Sequence, residues 1–128
     1  MPETGSVLDR WLPLAHRSEL IAIGIATHLG FNIVAAVAFR LAALSSSWIA
    51  FLAWQVAGNL AGFVTVLALT VLLRFLPLSI AYPITTGLSV IGVQVIAASV
   101  LLHEPLPLRV WLGTALIVSG ILLVGGRI

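Results

Sequence analysis

Eight polar side chains interrupt stretches of this chain that are otherwise apolar enough to lie in a lipid bilayer, and their spacing is helical. His28 and Asn32 are four residues apart, with Gly24 one turn earlier. Gln55 and Asn59 repeat that spacing, with Gly62 on the same stripe. Tyr82, Thr85, Thr86 and Ser89 fall at i, i+3, i+4 and i+7, so on a helix they share one face. Pro83 and Gly87 weaken the helix within the same turns. Polar groups are costly in hydrocarbon and turn toward protein or a water-filled cavity. Two arrangements satisfy that requirement. The groups can bond helix to helix, at about 0.6 to 2 kcal/mol each, or the three faces can converge on one polar chamber near mid-membrane. His28 and Asn32 together exceed what packing usually needs, which favours the chamber. Gln94 and Ser99, further along the third segment, are assigned to packing.

The same residues limit the chemistry. His28 is the only group deep in an apolar segment that titrates near neutral pH. It can shuttle protons, or stay neutral and bond a neighbouring carbonyl; the second is preferred. No carboxylate lies mid-segment: Glu19 stands at the entrance of the first and Glu104 between the third and fourth. Exchange of protons for organic cations would call for a buried acid. No nucleophile–base pair and no paired carboxylates occur in the apolar segments, so no catalytic residue is assigned and an enzyme is not expected. His16, His28 and His103 lack metal-ligand spacing and there is no cysteine, so neither a metal nor a cofactor is expected. Arg40, near the end of the first segment, is a candidate for holding a phosphate headgroup; the alternative is an arginine snorkelling to the interface.

The elements that must position these groups follow from composition. Of 128 residues, 61% are hydrophobic and 8% charged, which excludes a soluble domain of this size. A net charge of +2 with no basic cluster excludes a nucleic-acid footprint. Apolar segments at about 19–42, 48–73, 78–102 and 110–124 are read as membrane-spanning helices. Short links, with Ser47 suited to an N-cap, Pro77 to a helix start and two prolines after His103, force antiparallel neighbours. The expected fold is an all-α, integral membrane, up-down four-helix bundle over 19–128. Residues 1–18 form a tail without a cleavable-signal pattern, so the first segment is expected to remain as an anchor. Val7, Leu8, Trp11 and Leu12 give the tail a small apolar face suited to the interface or to a loosely ordered tail resting on the headgroups. Arg10, Arg17, Arg74 and Arg127 on one side outnumber Arg40 and Arg109 on the other, which favours cytoplasmic termini. Gly113 and Gly120 lie seven apart on the fourth segment, where a second helix can approach closely. Dimerisation through that face is favoured over packing inside the monomer, since four helices alone enclose little volume. Gly58 and Gly62 offer another close-packing face, expected to be internal.

Four further elements carry a resemblance: Ile80-Ala-Tyr-Pro-Ile84, His103-Glu-Pro105, Arg109-x-Trp111-x-Gly113 and Ile117-x-x-Gly120-Ile121. They resemble the small four-helix, small multidrug resistance-like and EamA-like members of the drug/metabolite transporter superfamily. Within it, the C-terminal half is most similar to the subunits proposed to flip aminoarabinose linked to undecaprenyl phosphate. The likeness covers roughly 76–126 by motif and the first two segments by pattern. It implies homo- or heterodimers with substrate between the subunits, alternating access and the bacterial inner membrane. The multidrug branch relies on a glutamate in its first helix, and this chain has Thr27 and His28 there. That departure disfavours the usual cation/proton exchange. The leading expectation is therefore a flippase for a lipid-linked sugar. Behind it stand an exporter of small amines or drugs driven through His28, and a non-transporting membrane partner of another protein.

Overall fold

The computed structural model describes residues 16–126, and among them the chain forms four helices joined by short links. They are α1, Arg17–Ala43; α2, Trp48–Phe75; α3, Leu78–Gly92, continued without a break by wider turns over Val93–Leu101; and α4, Leu108–Gly125. All four are long and apolar enough to cross a membrane, so the chain is a multi-pass membrane protein. The apolar face proposed for Val7, Leu8, Trp11 and Leu12 lies outside the described residues, as do Arg10 and Arg127.

The links form where the sequence places them. Leu44 N–H and the Ser45 hydroxyl close the end of α1 on the carbonyls of Arg40 and Leu41, at 3.1 and 2.8 Å. Ser47 then caps α2, its hydroxyl accepting the Ala50 N–H at 3.2 Å. Pro77 and Pro107, both in extended backbone, stand directly before α3 and α4. At the end of the third span His103 takes a φ of 54°, a left-handed turn that few non-glycine residues adopt, and Pro105 and Pro107 follow. α4 begins two residues before the expected 110 and has 18 residues, enough to span.

One departure concerns the third span, expected as a uniform helix to 102. Its last nine residues form a π-helix, with each N–H reaching one residue further back; at its end Leu102 N–H bonds the Ala97 carbonyl at 2.9 Å. The segment VQVIAASVL is apolar in either geometry, so composition alone does not distinguish them.

Packing runs through small residues. α1 and α2 are in contact along most of their lengths, α3 packs on both α1 and α4, and α4 rests chiefly on α3. Gly24 lies under Leu72, which is fully buried, and Gly58 lies under the Phe39 ring. Gly92 lies under Leu29 and Ile33, and Gly87 under Ile117 and Ile121. Ala35, Ala38 and Ala42 line the buried side of α1. Lipid is as apolar as leucine, so the gain comes from close backbone approach rather than from escape from water. Two polar contacts fix the ends of the bundle. Arg17 Nη2 donates to the Phe75 carbonyl at 3.4 Å at one end, and Arg40 Nε lies 3.3 Å from Glu104 Oε2 at the other.

A polar cavity between the first and third helices

α1 and α3 enclose an open cavity of about 500 Å³, lined by His28, Asn32, Tyr82, Thr86, Ser89, Val90, Val93 and Gln94. α1 contributes two polar groups one turn apart. α3 and its π-helical continuation contribute the rest from one stripe, followed through Tyr82, Thr86, Ser89 or Val90, and Val93 or Gln94. Gly92, seated beneath Leu29 and Ile33, sets how closely the two helices approach beside this cavity. His28 and Ser89 are buried, and Ser89 Oγ stands 3.4 Å from His28 Nδ1, a side-chain hydrogen bond between the two walls. Tyr82 and Thr86 are exposed at the mouth, so the lining grades from buried to open.

Gln94 was assigned to packing from the sequence, yet it lines the cavity. Its signal was present in the spacing: it lies eight residues beyond Thr86 and four beyond Val90, on the stripe that Tyr82 begins. Behind the cavity the Thr114 hydroxyl of α4 meets the Gln94 side-chain carbonyl, and it also lies 2.9 Å from the Val110 carbonyl. The Thr114 hydroxyl is shared between the Gln94 side-chain oxygen and the carbonyl one turn back on its own helix. α4 thus fixes one wall of a cavity that it does not itself line.

The remaining expected residues are placed elsewhere. Thr85 is buried beside the cavity but turns back on its own helix, donating to the Ala81 carbonyl at 2.9 Å. Gln55 and Asn59 do not join the cavity, and the expected convergence of three polar faces is corrected to two. Asn59 is exposed and donates to the Gln55 carbonyl at 2.8 Å. The cause is the face by which α2 packs: Gly58, Ala61, Thr65, Ala68 and Leu72 are its buried residues. At 100° per residue, the Gln55–Asn59 stripe lies roughly a third of a turn away from that face. Arg40 is also outside the cavity, half-exposed and paired with Glu104. Gly113 and Gly120 have no neighbour within 4 Å of an added Cβ, so they do not serve close packing inside the monomer, and neither does Gly62.

The lining offers hydroxyl, amide, imidazole and phenol groups and contains no carboxylate, lysine or arginine. It can exchange hydrogen bonds with an uncharged polar group and offers no fixed charge to a cation. Among the described residues no cluster of three metal-ligating side chains occurs. No family model, no curated protein and no solved structure matches the chain.

Proposed function

We propose that the protein is a membrane carrier that shelters the polar, uncharged sugar of a polyprenyl-phosphate-linked sugar between α1 and α3 while the lipid's chain stays in the bilayer. One observation carries this reading: six polar side chains face a single open cavity of about 500 Å³ within the spans. Hydrocarbon penalises such groups, so the cavity favours water or a hydroxyl-rich guest over lipid chains. His28, Asn32, Ser89 and Gln94 hold the sugar, and Tyr82 and Thr86 meet it at the mouth. The paired Arg40 is at most an entry contact for the phosphate. A second four-helix subunit docks on α4, where Gly113 and Gly120 face outward, and access alternates across the pair. The arginine distribution favours cytoplasmic termini, and the resemblance of the C-terminal half implies the bacterial inner membrane as the setting.

The test is reconstitution in vesicles with a labelled polyprenyl-phosphate sugar. Flipping above that of empty vesicles, reduced in Asn32→Leu and Gln94→Leu, supports the reading; no gain over empty vesicles overturns it. The position of His28 on the cavity wall favours one second reading, a proton-linked exporter of small amines. Amine-induced proton release that is lost in His28→Ala selects that reading over the first.

A further inference from the structure

Every carboxamide in the chain lies within a span, and they divide into two pairs. Asn32 and Gln94 line the polar cavity. Gln55 and Asn59 lie on the outward side of α2, away from its buried residues. Asn59 is exposed and spends one N–H on the Gln55 carbonyl at 2.8 Å. A carboxamide has two N–H donors and an accepting oxygen, so one N–H and the Oδ1 of Asn59 remain unspent. Among the described residues the Gln55 side chain has no hydrogen-bond partner. The outward hydroxyls of Thr70 and Ser119, by contrast, are met by carbonyls of their own helices at 3.0 and 2.9 Å. Asn59 is the twelfth of the 28 residues of α2, roughly 4 Å from the helix midpoint, where hydrocarbon cannot supply the missing partners. Gly62, three residues on, has open space where a Cβ would stand.

We propose that the Gln55–Asn59 face of α2 binds the same face of a second copy of this chain, inserted in the same orientation. The occupant follows from hydrogen-bond complementarity and depth together. Across a two-fold axis along the membrane normal, Asn59 meets its counterpart at equal depth, and each amide N–H donates to the other's Oδ1. An inverted copy centred at the same depth would set Asn59 against Val64, whose side chain returns no hydrogen bond. The asparagine side chain is short and reaches across only where two helices run close, an approach that Gly62 permits. α2 rests chiefly on α1 and α4 on α3, so this face and the glycine face of α4 can be occupied together. The pairing does not depend on what the polar cavity carries.

Oxidative crosslinking of the full chain in vesicles at high lipid dilution tests this directly, since the native chain has no cysteine. Val66→Cys, on the exposed stripe seven residues beyond Asn59, should form crosslinked pairs. Ala57→Cys, exposed and equally far from the midpoint of α2 but nearly half a turn around the helix from Asn59, should not. Adding Asn59→Leu to Val66→Cys should slow the initial rate of crosslinking about three- to thirtyfold. Asn59→Gln, which keeps the amide, should retain most of that rate. Gly120→Leu, which adds bulk to the α4 face, should leave it unchanged. Crosslinking at Val66→Cys no faster than at Ala57→Cys overturns the proposal. So does a rate that survives Asn59→Leu, or one that Gly120→Leu lowers equally. Capture of a different protein alone by Val66→Cys in native membranes overturns the assignment to a second copy.

Discussion

Gly92 is the position at which packing and the polar cavity are most directly linked. A Cβ there would stand 2.6 Å from Leu29 Cδ1 and 3.2 Å from Ile33 Cδ1, where ordinary contact begins near 3.4 Å. Gly92→Ala therefore asks the α1 side chains to retreat by about 0.8 Å at the tighter contact. Two effects oppose each other. Alanine gains about 1 kcal/mol of helix propensity over glycine, while overpacking costs about 1 to 3 kcal/mol. The close atom is the end of a flexible leucine, which places the cost toward the low end, so the net loss should be about 0 to 2 kcal/mol. Gly120→Ala meets nothing within 4 Å and keeps the propensity gain alone. The two variants should thus differ by about 1 to 3 kcal/mol, read as the shift between their unfolding curves in mixed micelles with rising dodecyl sulfate. The retreat also widens the gap across which His28 meets Ser89 at 3.4 Å, so any transport should fall in Gly92→Ala and not in Gly120→Ala. Equal stability of the two variants would refute the idea that Gly92 sets the α1–α3 distance.

Further expectations rest on other contacts. Thr114→Val and Gln94→Leu should be non-additive by about 0.6 to 2 kcal/mol in a double-mutant cycle of unfolding, because each removes the partner of the other. Leu72→Ala, which empties the fully buried site over Gly24, should cost about 2 to 5 kcal/mol in the same assay. The half-exposed Arg40–Glu104 pair should couple by less than about 1 kcal/mol, and its coupling should shrink in high salt.

The spans were legible in the sequence because hydropathy and link chemistry agree. Ser47, Pro77 and the prolines after His103 stand where helices start or cannot continue, and the observed bounds fall within about two residues of those expected. The polar stripes of α1 and α3 were equally legible, since periodicity fixes which residues share a face. Which stripe meets which was not. The face that α2 turns inward is decided by Gly58 under Phe39 and by Gly24 under Leu72, matches of small to large that no single helix reveals. Gln55 and Asn59 were carried off the cavity by that choice. The glycines show the same limit. Gly113 and Gly120 have a conspicuous spacing and no neighbour in the monomer, whereas Gly87 and Gly92 lie under side chains from other helices. The π-helical continuation of α3 left no mark in composition, because the hydrogen-bond offset changes without any change in which residues are apolar.

The central claim is that the space between α1 and α3 is wet and receives a polar guest, and the chain's lack of cysteine allows a clean measurement of it. Single cysteines at Asn32, Thr86 and Gln94 are compared with one at Ala57, exposed on the middle of α2 away from the cavity, for reaction with a water-soluble, membrane-impermeant maleimide in vesicles. The account predicts fast labelling at the three cavity positions, slowed by added lipid-linked sugar, and little at Ala57. Labelling at the cavity positions as slow as at Ala57 would contradict it.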